Sequence, residues 1–170
     1  MQRLFIGLLM AAAVTGCQNR KLSADADTGK ADSAKADQQQ SGKLETRLEA
    51  TSQAFSTDSV MLSFTVVNHA DTAQRFVKWE TPFEPFLGKY LEIMDAQGKE
   101  AEFRGAMARR VMPPPAEAYM EVAAHDSVNT VFNAAKNYNL AAGTYTIKYT
   151  GGGVSGLDGG KEIKITVTQP

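Results

Sequence analysis

Two imidazoles, His69 and His125, and one thiol, Cys17, are the side chains of this chain best suited to metal or nucleophilic chemistry. Neither histidine has a second at helical spacing, and no HExxH occurs, so the device of two zinc ligands on one helical face is absent from the sequence. His69 lies in Asn68-His69-Ala70-Asp71 and His125 in Ala124-His125-Asp126-Ser127; both read as exposed turn residues. No Ser sits in a GxSxG elbow, and Ser155, in Gly153-Val154-Ser155-Gly156, has the wrong spacing for one. Gly151 to Gly156 matches GxGxxG. That motif binds a pyrophosphate only when a helix N-terminus follows it, and here a strand pattern follows. The segment 151–160 therefore reads as a long, mobile hairpin loop turning at Asp158-Gly159. No catalytic residue, metal site or cofactor is expected.

The thiol has a more specific context. Met1, Gln2 and Arg3 form a short basic start, and Leu4 to Val14 is apolar and uncharged. A bilayer span needs about 20 residues, so this run has the length of a signal-peptide core. Val14-Thr15-Gly16-Cys17 follows and resembles the lipobox of bacterial lipoproteins: an aliphatic residue, two small ones, then Cys. The resemblance implies a signal peptide over 1–16 and lipidation of Cys17. Several acyl chains on one residue anchor stably where one alone is marginal. Lipidation also consumes the single thiol, which would be a liability in an oxidising compartment. By the same resemblance, Gln18 in place of Asp points to the outer membrane, facing the periplasm.

Residues 18–43, rich in Ala, Asp, Lys, Gln, Ser and Gly, have Leu22 as their one large apolar residue. Such a segment cannot bury enough surface to offset its ordering entropy. With Cys17 it reads as a flexible tether over 17–43, spanning roughly 30 Å as a coil. A weak helix is the second reading, though no apolar stripe supports it. Charge is balanced, with 18 basic and 19 acidic side chains, and no basic run suggests nucleic acid.

From Leu44 to Pro170 the pattern has period two. Val60, Leu62, Phe64 and Val66 alternate with Met61, Ser63, Thr65 and Val67. Tyr145, Ile147 and Tyr149 alternate with Thr144, Thr146 and Lys148; Ile163, Ile165 and Val167 alternate with Glu162, Lys164 and Thr166. Alternation of this kind marks half-buried strands. Shorter runs surround Phe76-Val77, Tyr90 to Met94 and Val128 to Phe132, with a hairpin turn at Asp95-Ala96-Gln97-Gly98. Ala134 to Leu140 has room for one helical turn. The reading is an all-β, immunoglobulin-like antiparallel sandwich of about seven or eight strands over 44–170. Its expected core is Phe64, Val66, Val77, Trp79, Leu91, Ile93, Phe132, Tyr145, Ile147, Ile163 and Ile165. The lone Trp79 is expected in that core rather than in a binding site.

The most distinctive surface stretch is Arg109-Arg110-Val111-Met112-Pro113-Pro114-Pro115. Prolines hold an extended conformation with free carbonyls, and paired arginines suit a carboxylate or phosphate. Arg109, Arg110, Pro113, Pro114 and Pro115 are thus the candidates for partner binding. The plainer reading, and the preferred one, is a stiff crossover whose arginines pair with surface acids.

Several stretches together resemble the immunoglobulin-like module that precedes the catalytic domain in bacterial peptidyl-Lys metalloendopeptidases of the deuterolysin type. They are Leu62 to Asn68, Lys78 to Phe83, Arg104-Gly105, Arg109-Arg110, Pro113 to Pro115 with Tyr119, Tyr138, and Gly143 to Tyr145. Ala124-His125-Asp126 departs from the Pro-Gly that the family tends to carry there. In those proteases a zinc domain with HExxH follows; this sequence contains none. The resemblance implies a protease-associated module without its catalytic residues. The expected function is a membrane-anchored, non-catalytic binding lipoprotein whose partners are the bilayer, through Cys17, and another envelope protein or peptidase. A peptidase inhibitor acting through Val111 to Pro115 is the first alternative. A protease-family protein with a hidden catalytic constellation is the second.

Overall fold

The computed structural model describes residues 44–85 and 87–169. Residues 1–16, expected to be a signal peptide, and 17–43, expected to be a tether beginning at Cys17, lie outside the described residues. Nine strands are present among those described: β1 Leu44–Ala50, β2 Ala54–Ser56, β3 Met61–Asn68, β4 Gln74–Val77, β5 Leu91–Asp95, β6 Tyr119–Val122, β7 Ser127–Asn133, β8 Gly143–Tyr149 and β9 Ile163–Thr168. Three-residue 3-10 turns occur at Ala116–Ala118, Ala134–Lys136 and Gly153–Ser155.

The strands form an all-β sandwich. One sheet has the order β1-β3-β7, the other β2-β9-β8-β5, and β4 and β6 pair as a separate ribbon. The order is immunoglobulin-like: a strand sequence A-B-E faces one that runs G-F-C, with crossings between sheets after β3 and after β7. The pairing is antiparallel with one exception, since β2 runs parallel to β9, Phe55 opposite Val167. The chain after β1 thus leaves the first sheet and joins the second. This three-residue strand, and the four-residue β6, lack the alternation that marks longer strands and bring the count above the seven or eight expected.

Period-two burial follows where the pattern was clearest. Along β3, Leu62, Phe64 and Val66 are fully buried, and their neighbours half-buried. The core joins both sheets. The Phe64 ring on β3 meets that of Tyr149 on β8 at 4.7 Å between centroids, and Phe83 packs edge-on against Phe64 at 6.0 Å. Ten of the eleven expected core residues are buried; Ile163, at the open start of β9, is half-buried against them. Val77 and Trp79 form a second small cluster with Ala118, against which Tyr119 and Val154 pack. The turn at Asp95 is a hairpin: Gly98 donates to the Asp95 carbonyl at 3.0 Å with φ of 77°, a conformation that suits glycine.

The segment 151–160 departs from expectation. It is not a free-standing hairpin loop but a packed one. Ser155 and Leu157 are buried, the Ser155 hydroxyl donates to the Gly152 carbonyl at 2.8 Å, and the Leu157 amide donates back to Ser155 Oγ at 3.3 Å. Gly151, with φ of 65°, lies so close to Asp158 and Gly159 that a Cβ would collide with their backbone. The glycines permit this close approach, which composition alone does not distinguish from looseness.

Truncating Phe64 to Ala empties the contact between the sheets. The expected loss is about 3–5 kcal/mol, read as a lower urea midpoint at unchanged slope. A second expectation concerns alkali. Burial raises the phenols of Tyr90, Tyr138 and Tyr149, the last to about 12. A raised pKa keeps the proton on in the folded state after the unfolded chain has released it. Stability from these groups is therefore full below pH about 10 and falls as pH rises toward the folded values. Thermal melts at rising pH should show this loss alongside tyrosinate absorbance, and Tyr149→Phe should make the decline shallower.

Candidate functional site

The loop between β5 and β6 carries the arginines and prolines singled out above. Its approach is fixed by backbone bonds: the Gly88 amide donates to the Ala106 carbonyl at 2.8 Å, and Arg104 donates to the Asn137 carbonyl at 2.7 Å. Its exit is fixed by the Ala118 amide bonding to the Pro115 carbonyl at 2.9 Å, after a cis peptide between Met112 and Pro113. Between these ends the side chain of Arg110 ties the loop down. Arg110 forms a salt bridge with Glu84, and its guanidinium lies 4.8 Å from the centroid of the Trp79 ring. Both charged side chains are partly buried, at 23% and 30% exposure, so solvent screens the pair less than a fully exposed one.

Trp79 is placed to receive Arg110 by the turn after β4. Lys78 bonds to the Ala118 carbonyl at 2.8 Å, the Thr81 hydroxyl donates to the Lys78 carbonyl at 2.6 Å, and Glu80 takes a φ of 57°. The strand therefore ends at Val77, and Trp79 sits in the turn beyond it, buried among Val77, Ala118 and Val154. The indole is at once a core side chain and the floor on which the loop rests.

With Arg110 engaged, the rest of the loop faces outward. Met107, Val111 and Met112 are 72%, 79% and 64% exposed, and Arg109 is exposed with no ion pair among the described residues. Pro113 and Pro115 are exposed and Pro114 is half-buried. The two arginines thus separate. Arg110 does what the plainer reading anticipates and pairs with an acid of its own chain, while Arg109 remains beside the apolar group. Met107 and Glu84 were not visible as participants: Met107 stands alone between alanines, and Glu84 is far from Arg110 in sequence.

Elsewhere the chemistry is local. His69 Nε2 lies 2.6 Å from Glu45 and His125 Nε2 2.9 Å from Asp71, each in an exposed turn. Hydrogen bonds from Arg47 and then His69 hold the Glu45 carboxyl down to about 2. A cleft of about 610 Å³ runs between β1 and residues 158–163, lined by charges of both signs, including Glu45, Arg47, Asp158 and Lys161. No nucleophile and base converge there. Among the described residues no cluster of His, Cys, Asp and Glu is suited to a metal ion, and no helix is long and apolar enough to cross a membrane. The arrangement around Trp79 presents apolar and cationic groups on a fixed loop, which is the equipment of a binding surface. The chain matches no family model and no curated protein.

Proposed function

We propose that this chain is a lipoprotein, anchored through Cys17 to the cell envelope, whose β-sandwich binds another envelope protein through the loop 106–115 without catalysing a reaction. The observation that carries the binding role is the pinned loop: Arg110 is held by Glu84 and Trp79 while Met107, Val111 and Met112 stand in solvent. Exposed apolar side chains cost solubility, and several of them along one ordered segment suit a contact surface. The anchor rests on Val14-Thr15-Gly16-Cys17 and the polar segment after it. The sequence resemblance to a protease-associated module favours a peptidase, or a protein that a peptidase acts on, as partner. The packing of this loop also suits a second reading, peptidase inhibition, since inhibitors present side chains on stiff, exposed segments.

Three measurements test the proposal. Cys17→Ser should move the protein from the membrane to the soluble fraction and remove the acyl mass from the N-terminal peptide. Met112→Glu and Val111→Glu, on the exposed side of the loop, should weaken capture of the partner by about tenfold or more while leaving the melting temperature unchanged. Equal capture by wild type and both loop variants would remove the loop from the reading. Inhibition of the captured peptidase at stoichiometric protein would favour the second reading over the first.

A further inference from the structure

The hydrogen-bond phase of β3 determines which backbone groups of β7 are left over. The Asn68 amide bonds to the Asp126 carbonyl at 2.8 Å just before β7, and the Ala134 amide to the Val60 carbonyl at 2.9 Å just after it. In the antiparallel register between them, Val66 opposes Val128, Phe64 opposes Thr130 and Leu62 opposes Phe132. Bonded pairs alternate along such a ladder. Val128, Thr130 and Phe132 therefore exchange bonds with β3, and the backbone groups of Ser127, Asn129, Val131 and Asn133 point away from it. No described strand pairs with that side.

The other edges of the two larger sheets are protected. The outer side of β5 is covered by the returning arm of its hairpin, with Ala101 donating to the Ile93 carbonyl at 2.8 Å. Strand β1 carries the charged side chains of Glu45, Arg47 and Glu49 on its solvent face, and its outer side abuts the 158–160 segment, where the Thr46 hydroxyl donates to the Asp158 carbonyl at 2.9 Å. Strand β2 is three residues long. Charges, covers and brevity are the usual guards of a sheet edge. Strand β7, Ser-Val-Asn-Thr-Val-Phe-Asn, has none: it is seven residues long with no charge, Gly or Pro. Its flank is open, since inward-facing Val128 and Thr130 are half-buried where their β3 partners Val66 and Phe64 are fully buried. Val131 is 52% exposed.

We propose that this edge pairs antiparallel with the β7 edge of a second copy of the chain, about a two-fold axis at Thr130. The phase admits this register: on each side of the axis Asn129 opposes Val131 as a bonded pair that uses backbone groups left free, and Ser127 opposes Asn133 beyond it, where the Ser127 amide already donates to Asp126 Oδ1 at 2.7 Å. On the inward face Thr130 meets its own copy and Val128 meets Phe132. Thr with Thr and aromatic with β-branched are favourable cross-strand pairs, and an uncharged strand brings no like charges together. The sequence of β7 is in this sense its own complement, which a strand from an unrelated partner would have to match by separate means. The result is a six-stranded sheet ordered β1-β3-β7-β7-β3-β1. The two-fold contact uses up the edge on both copies, so assembly stops at the dimer.

The test uses the full chain carrying Cys17→Ser, which leaves no native thiol, in mild detergent. Adding Thr130→Cys should give a disulfide-linked dimer on mild oxidation, whereas Asn129→Cys, which faces Val131 and not its own copy, should give several-fold less. In sedimentation the Cys17→Ser chain should show a concentration-dependent dimer. Val131→Lys, a charge on the free edge, and Val131→Pro, which removes an outward amide and leaves the β3 ladder whole, should each weaken it about tenfold or more. Circular dichroism confirms that both remain folded. A monomer at about 100 μM, a concentration that reveals dimers of even micromolar affinity, would overturn the proposal. So would equal cross-linking by the two cysteine variants, or a dimer that both Val131 variants leave intact. A β7 edge occupied by the chain's own N-terminal segment or by another protein would give the monomeric outcome.

Discussion

Strand β3 is bonded on both sides, and the alternation this imposes governs the rest of the domain. Its even-numbered residues reach β7 through the backbone and its odd-numbered residues reach β1, as the Thr51 amide on the Met61 carbonyl continues beyond Ala50. Side chains alternate with the same period, so Leu62, Phe64 and Val66 all face the second sheet and a slip of one residue would turn them to solvent. The same phase decides what the neighbouring strands have left. On β1 the outward groups belong to the even-numbered residues, and the loop 158–160 lies against them at Thr46. On β7 the outward groups find no strand among the described residues. One edge is closed by a packed loop and the other is open, although both descend from a single central strand.

The Gly-rich loop and the Arg110 loop solve a similar problem by different means. Each is an irregular segment whose backbone would otherwise be left to water. The first is folded by backbone proximity: glycines let residues 151 and 159 approach, and the Ser155 hydroxyl supplies the bonds that side-chain-free residues cannot. The second is folded by one long side chain. The Arg110 guanidinium satisfies a carboxylate and an aromatic face together, a combination a lysine would not reproduce. Val154 packs against the Trp79 cluster, so the first loop helps to build the floor on which the second rests.

Much of the fold was legible in the sequence because strands with one buried face advertise it. The alternations along β3, β8 and β9, the turn at Asp95 to Gly98 and the burial of Trp79 all follow from local pattern. What escaped depends on contacts distant in sequence. Strand β2 is defined by a parallel partner more than a hundred residues away, and its three residues carry no period. The short run at Phe76-Val77 does not show where its strand stops: the positive φ of Glu80 and the bond from Thr81 to Lys78 turn the chain before Trp79. For the candidate site, the arginines and prolines stood out by type, whereas their division did not. That Arg110 would turn inward and Arg109 outward depends on Glu84 and Trp79, which only the folded chain brings near.

In antibody domains a disulfide joins the second and sixth strands of the sandwich across the core. Here the corresponding strands are β3 and β8, and they meet across the core through the rings of Phe64 and Tyr149. A covalent clamp ties such a fold to an oxidising environment and to the enzymes that form it. Two rings in contact impose no such requirement. With a single cysteine, outside the described residues, the sandwich forms no internal disulfide, so its packing depends on neither an oxidant nor a reductant.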